Sequence, residues 1–391
     1  MDAWIKKEYT TLETLYQDLH SQPELSLKEE KTSARIAKEL GQIGLEVTQS
    51  VGGFGVVALL KNGKGPAVLV RADMDALPII EETGLAFASK TVGIAHACGH
   101  DVHMTCLIGT ARVLNQIKEK WKGTLVFIAQ PAEEKGQGAQ AMLDDGLFTR
   151  FPKPDYALAL HVDSQLPTGK IGYRRGYAFA NVDSVDITIY GRGGHGAYPH
   201  LTIDPIVIAS EVVLALQTIT SRELKPYETA VVTVGSIHRG TKHNIIPDQV
   251  KLELTIRSYA DEVRNQILEA IKRLTTQIAA AHRAAKNPEI RVSESIPSTY
   301  NDPKLVDRLL PVLRKTFGDP NVVEKDPEMG GEDFGLYGRA GIPAFIFRIG
   351  SVPPEKKNPP SLHSPVYAPD LYPTLTVGIR AMTALVLELL Q

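Results

Sequence analysis

Ala67-Val-Leu-Val-Arg-Ala-Asp-Met-Asp75 is an apolar run that stops abruptly in acids. A continuous apolar run suits a strand buried on both faces, and such strands belong to parallel sheets covered by helices. Working outward, a helix is expected over 102–118, then a buried strand at Thr124-Leu-Val-Phe-Ile-Ala129, a helix over 136–145 and a strand at Tyr156-Ala-Leu-Ala-Leu160. Upstream, residues 9–44 have helical periodicity broken at Pro23, and Gly55-Val-Val-Ala-Leu-Leu60 reads as another strand. This β-α-β-α alternation predicts an α/β fold with a mostly parallel sheet sandwiched by helices.

The pattern changes near residue 183. Val185-Asp-Ile-Thr-Ile-Tyr190 alternates, a helix follows over 204–222, and two more alternating strands occupy 229–235 and 249–257. A helix from 261 to about 285 and Ile290-Arg-Val-Ser-Glu294 complete a strand-helix-strand-strand-helix-strand order, that of a ferredoxin-like α+β unit. Phe345-Ile-Phe-Arg348 and a helix over 370–390 again suit the larger sheet. The expected domains are therefore 1–182 with 298–391, and an insert at 183–297. Ser351 to Pro360 reads as a surface loop, and no internal repeat or low-complexity segment is found.

Composition narrows the function. The chain has 391 residues, 43% hydrophobic and 23% charged, with a net charge of −2. Such a balance favours neither nucleic acid nor an anionic membrane. No apolar stretch approaches the ~20 residues of a spanning helix, and the first residues lack a signal-peptide hydrophobic block. Two cysteines, Cys98 and Cys106, do not make a disulfide framework. The expectation is a cytoplasmic protein with reduced thiols.

Chemistry concentrates in His96-Ala-Cys-Gly-His-Asp-Val-His103 and Gln130-Pro-Ala-Glu-Glu134. Cys98 and His100 alternate on one side of an extended or loop backbone, so a thiolate and an imidazole can reach one ion. A free cysteine is more often a small buried hydrophobe, which is the reading given to Cys106. Glu134, His161 and His363 extend the set to five ligand candidates, enough for two ions about 3.5–4 Å apart. The Glu133-Glu134 pair could be a solvated turn. Following a buried strand, however, one carboxylate can bind metal while Glu133 serves as a base. Asp73 and Asp75, Gln130 to Glu134, and His161 each directly follow an apolar strand, where α/β sheets gather their working residues.

Other motifs have two readings. Gly191 to His200 is either a glycine-permitted turn or a loop projecting His195 as donor to an oxyanion. Asn244 and Arg257 are candidate substrate contacts; an arginine on a strand is normally a surface charge, yet Arg257 could pin a carboxylate. In Gly330-Gly-Glu-Asp-Phe334 the acids could cap the next helix, the more common use, or, with Glu332, bind a substrate's amine or orient ligands. His20, His238, His243 and His282 read as surface or structural histidines.

Seven motifs occur in order across nearly the whole chain. They are Arg71-Ala-Asp-Met-Asp-Ala-Leu-Pro78, His96 to Asp101, Gln130 to Glu134, Gly194 to His200, Asn244 to Asp248, Gly330 to Phe334 and Leu362-His363. With them the chain resembles the amidohydrolase branch of the aminoacylase/glutamate-carboxypeptidase metallopeptidases, which includes hippurate hydrolases, N-acetyl-diaminopimelate deacetylases and auxin-conjugate hydrolases. The resemblance implies a dimetal catalytic domain with an inserted lid that mediates dimerisation. It implies Cys98, His100, Glu134, His161 and His363 as ligands and Glu133 as general base. His195 and Asn244 would lie on the lid, often completing a neighbouring subunit's site as oxyanion and substrate contacts. Where many relatives have a histidine ligand two residues before the motif aspartate, this chain has Asp73. That leaves the bridging ligand open, with Asp75 and Asp101 standing behind the ligands and Asp75 taking part in catalysis.

The expected activity is metal-dependent hydrolysis of the amide of an N-acyl amino acid. The expected cofactors are two divalent ions, zinc or manganese, with nickel or cobalt able to substitute in vitro. The expected partners are a small-molecule substrate and a second copy of the chain, with no nucleic acid and no membrane. The alternatives are a dipeptidase or carboxypeptidase on the same scaffold, and a non-catalytic metal- or ligand-binding relative.

Overall fold

The computed structural model describes residues 2–391, and these divide into two compact units. One comprises the chain up to Ala178 with Thr299–Pro327 and Glu332–Gln391; the other is Phe179–Ser298 with Glu328–Gly331. Residues 328–331 join the second unit through short bonds. Ala180 N–H donates to the Gly330 carbonyl at 3.1 Å, and Arg257 Nε donates to that of Met329 at 3.0 Å.

The first unit is built on an eight-stranded sheet. Its order is β1 (Glu46–Val51), β2 (Gly55–Asn62), β4 (Gly123–Gln130), β3 (Ala67–Asp73), β5 (Tyr156–Pro167), β16 (Ala344–Val352), β6 (Ile171–Tyr173) and β15 (Val322–Glu324). The central strands β4, β3, β5 and β16 are mutually parallel. Antiparallel pairing appears toward the edges, where β1 meets β2, β2 meets β4 and β16 meets β6. The mostly parallel core matches the expectation; the antiparallel flanks are an addition to it. β1 is not among the expected strands because Glu46-Val-Thr-Gln-Ser-Val51 is mostly exposed and has no apolar run.

Period-two alternation sorts the central strand between two faces. Val68, Val70 and Ala72 of β3 enter the large core formed with α1 (Asp2–Ser21), α2 (Glu30–Gln42), α3 (His100–Gln116), α7 (Pro303–Phe317) and α9 (Leu371–Leu389). Arg71 lies on the other face, fully buried. Two shorter helices, α4 (Gly138–Asp144) and α8 (Gly335–Arg339), complete the unit, with β14 (Thr299–Asn301) paired to β7 (Gly176–Phe179). Helix α7 is an addition to the expected elements, although its signals are local. Asp302 caps it by accepting the Leu305 N–H at 2.7 Å, Pro303 follows, and Leu305, Val306, Leu309, Leu310 and Leu313 form its buried stripe. The expected loop at 351–360 begins two residues later, since Ser351 and Val352 are buried in β16.

The second unit has the connectivity β8 (Asn181–Tyr190), α5 (Pro205–Thr218), β10 (Ala230–His238), β12 (Gln249–Ser258), α6 (Asp261–Ala281), β13 (Glu289–Ile296). Its sheet order is β10-β12-β8-β13, antiparallel throughout, which is the ferredoxin-like arrangement. β8 and β12 alternate strictly between buried and half-buried residues, so one face of the sheet packs on α5 and α6. A separate two-stranded ladder joins β9 (Gly194–His195) to β11 (Ile245–Ile246). Among the described residues no helix is long and apolar enough to cross a membrane.

Candidate metal centre

The carboxyl ends of parallel strands deliver the chemistry. β3 ends at Asp73, two residues before Asp75, and β4 ends at Gln130, three before Glu133. His161 was expected just past a strand, but β5 continues to Pro167 and His161 sits within it. The register explains why it still reaches the site. β3 pairs with β5 only as far as Arg71 opposite Ala159, so His161 lies level with the end of its shorter neighbour.

Of the extended and loop backbones expected to bring Cys98 and His100 together, the structure shows a turn. Gly99 between them has φ 78°, and His100 is the first residue of α3. A Cβ on Gly99 would come within 2.6 Å of the Val162 side chain, so both conformation and space demand glycine. The turn folds thiol and imidazole toward one point. Cys106, one helical stretch on, is buried against α9, where a Cβ on Gly378 would stand 2.5 Å from its sulfur. It is the small buried residue expected.

Three groupings converge, each with its ligand atoms within 4.8 Å of one another: Cys98, His100 and His161; Cys98, Glu134 and His363; and His100, Glu133 and Glu134. Cys98 Sγ lies 3.6 Å from His161 Nε2, and His363 Nε2 lies 3.5 Å from Glu134 Oε1. Donors sharing a tetrahedral ion at about 2.0–2.3 Å stand about 3.5 Å apart. His100 Nε2 is 3.9 Å from Glu134 Oε1 and 4.0 Å from Glu133 Oε2.

The tautomers are set by the backbone. His100 Nδ1 donates to the Asp75 carbonyl at 2.8 Å and His161 Nδ1 to the Val162 carbonyl at 2.7 Å. A carbonyl can only accept, so the protons sit on Nδ1 and both Nε2 lone pairs face the cluster. His100 Nε2 and Glu134 Oε1 are buried with no hydrogen-bond partner. Burial, with Glu134 and Glu133 beside it, pushes the Cys98 thiol well up. Burial, then Glu332 and Glu134, likewise raises Glu133. Unpartnered imidazole and carboxylate atoms around a desolvated thiol fit a divalent cation. His363 differs from the rest: it is exposed, with φ 63°, and is tied to the site by its N–H donating to the Ala97 carbonyl at 2.9 Å.

Asp75 orders this cluster from behind. Its Oδ1 accepts the Glu133 N–H at 3.1 Å, and its Oδ2 accepts the Glu134 N–H at 3.0 Å and the Ser26 hydroxyl at 2.6 Å. Asp101 does something else. It accepts from His20 Nδ1 at 2.7 Å, while His20 Nε2 binds Glu81 at 3.1 Å. Burial opposes the charged ring, yet the two carboxylates outweigh it and push the His20 pKa up to about 10. His20 is thus a buried structural histidine and not a surface one, and Asp101 supports it instead of a ligand.

Two functional elements were not expected from the sequence. His103 accepts the Val162 N–H on Nε2 at 2.9 Å and so donates from Nδ1 to Asp73 Oδ1 at 2.6 Å. Its nitrogens are committed, and it buttresses the strand residue after His161. Its signal is present, a third histidine in the His96–His103 motif, one helical turn beyond His100. The other element is Arg71, which donates to Asp73, to both Glu332 oxygens and to Asp333 at 2.6–3.3 Å, all completely or almost completely buried. Glu332 therefore neutralises Arg71 and is not exposed to bind a substrate's amine, correcting that expectation. Unpaired, each such charge would cost several kcal/mol.

In the second unit His195 and Asn244 are neighbours. The Gly196 N–H donates to the Asn244 carbonyl at 2.8 Å, and His195 faces Ile245 across the β9–β11 ladder. His195 is exposed, and its Nδ1 accepts the Ala197 N–H at 3.0 Å, which puts the ring proton on Nε2. Arg257 is half-buried and donates to the carbonyls of Met329 and Ile256 and to the Thr255 hydroxyl, so those donors serve its own unit instead of a substrate carboxylate.

A mostly parallel α/β sheet with convergent thiol, imidazole and carboxylate donors, a further carboxylate beside them and an inserted antiparallel unit is the arrangement of a metallohydrolase. The chain belongs to peptidase family M20/M25/M40, which it matches over residues 69–388. It is accordingly an enzyme, a hydrolase of amide bonds. It is 37% identical to thermostable carboxypeptidase 1 of Saccharolobus solfataricus, over 84% of this chain and 83% of that protein. To the hippurate hydrolase of Campylobacter jejuni it is 36% identical, over 91% and 90%. Among solved structures, a dinuclear metal-binding peptidase of the M20 family from Bacillus subtilis superposes with a TM-score of 0.83 at 34% identity, covering 98% of this chain and 99% of that one.

Proposed function

We propose that the protein is a dimetal amidohydrolase that removes the acyl group from N-acylated amino acids. The observation that carries the reading is that two ligand sets share one atom. Cys98 belongs both to the grouping with His100 and His161 and to the grouping with Glu134 and His363. Cys98, His100, Glu134, His161 and His363 are the residues that would hold the ions, with Cys98 common to both sets. Asp73 is hydrogen-bonded to Arg71 and His103, and its Oδ2 also stands 3.7 Å from His100 Nε2.

Divalent ions, if held by these five residues, would supply Lewis acidity to the scissile carbonyl and to water. The chain's own residues do the rest. Glu133 takes a proton from the attacking water and returns it to the departing amine nitrogen. Asp75 holds the Glu133–Glu134 backbone in register with His100. His195 is the proposed donor to the oxyanion, supported by the proton on its Nε2. Zinc suits the thiolate by softness, whereas manganese suits the carboxylates.

The test is amine release from N-acetyl, N-benzoyl and indole-acetyl amino acids and from free dipeptides, by chelated enzyme and by enzyme refilled with zinc or manganese. The expected result is metal-dependent release from the acylated set. Release from dipeptides alone would move the chain to the carboxypeptidase side of its relatives, and silence throughout would overturn the reading of N-acylated amino acids as its substrates.

The protein is further proposed to act as a homodimer through the second unit. Val207 and Leu214 on one face of α5 are 48% and 71% exposed, with Leu201 at 63% beside that helix in sequence. Exposed apolar side chains one heptad apart on a helix face suit packing against a second copy. Light scattering should report a dimer for the unchanged chain and a monomer for Leu214→Glu; a monomer for both would remove the proposal.

A further inference from the structure

Glu29 stands outside every metal-ligand motif and just before α2, where an acid is ordinarily a solvated helix-start residue. In the fold it is completely buried. Its Oε1 accepts the backbone N–H of Ala132 at 2.7 Å, and its Oε2 is buried without a hydrogen-bond partner. A buried carboxylate oxygen lacking a partner opposes folding, so general stability does not explain the residue.

Its one strong bond falls at a telling place. Ala132 immediately precedes Glu133, and its φ of 52° lies in the left-handed region that a Cβ disfavours. The Ala132 carbonyl accepts from the N–H groups of Gln137 and Gly138 at 3.1 and 3.3 Å. The next two amides, of Glu133 and Glu134, go to Asp75. Three successive N–H groups are therefore taken by two buried carboxylates from remote parts of the chain. A rotation at residue 132 would swing the Glu133 side chain, and proton transfer needs heavy atoms within about 2.6–3.2 Å.

We propose that Glu29 is a positioning residue: by accepting the Ala132 N–H it holds the left-handed turn that directs Glu133 into the ligand cluster. The inference rests on the reading of Glu133 as the base of an amidohydrolase. It separates two jobs in one turn, with Asp75 registering the backbone to His100 and Glu29 setting the angle at which Glu133 emerges.

The experiment uses the full metal-loaded chain as Glu29→Ala, Glu29→Gln and Glu29→Asp. Steady-state kinetics are measured on an N-acyl amino acid, alongside metal content and hydrogen exchange at the Ala132 amide. Glu29→Ala should lose at least tenfold in kcat, with KM and metal content within twofold of the unchanged chain and exchange at Ala132 accelerated. Glu29→Gln keeps an acceptor oxygen at the same reach and should stay within about threefold in kcat. If Glu29→Ala does not fold, Glu29→Asp, one methylene too short, carries the same expectation. The proposal is overturned if kcat holds within twofold, if metal is lost together with kcat, or if Glu29→Gln is as impaired as Glu29→Ala. Should the unchanged chain cleave no N-acyl amino acid, the amidohydrolase reading fails. Exchange at Ala132 then decides alone, since unchanged protection in Glu29→Ala overturns the clamp and lost protection upholds it.

Discussion

Glu133→Ala is expected to lower kcat by about 10²- to 10⁴-fold, the range over which a positioned acid–base group contributes, while the metal content stays that of the unchanged chain. Glu133 is only 8% exposed, and its Oε2 stands 4.0 Å from His100 Nε2. Neither grouping that shares Cys98 contains it. Removing it should therefore leave those two sets whole. KM should change little, because the missing step is a proton transfer and not substrate capture. Parallel kinetics and elemental analysis check this. A loss of tenfold or less would show that another group takes the proton, and a loss of metal would make Glu133 a ligand.

Cys98→Ala is expected to act on both ions together. Bound metal should fall from about two ions per chain to below one, and activity by at least about 100-fold, since even residues standing behind ligands cost 10–100-fold when removed. A terminal ligand would behave otherwise: its loss would empty one site and leave the other filled. His161→Ala supplies that comparison, because His161 belongs to one grouping and not to the one with Glu134 and His363. If Cys98→Ala retained one tightly held ion, Cys98 would serve one of the two sets and not both.

Much of this centre is legible in the chain's local motifs. Cys98, His100 and the Glu133-Glu134 pair lie in short motifs beside buried strands, and helix and strand periods advertise themselves within a dozen residues. The bonds that arm the site are not local. Arg71 meets Glu332 across 261 positions, and Glu29 meets Ala132 across 103. No periodicity records such pairings. By its residue type and motif alone Glu332 suits a substrate's amine, and it is the fold that places it against Arg71. His103 lies inside the motif, yet its partners Asp73 and Val162 come from two other strands and leave no mark near it in the chain.

The sequence by itself determined the layered α/β body, the ferredoxin-like insert and the inventory of donor atoms, because burial period and residue chemistry are properties of neighbouring residues. Only the tertiary structure decided which donors meet, that Cys98 stands in two groupings, that His100 and His161 turn Nε2 inward, and that Arg71 rather than a substrate takes Glu332. Those outcomes depend on where separate strand ends arrive in space and on which carbonyl or carboxylate waits there. The packing of remote segments sets both.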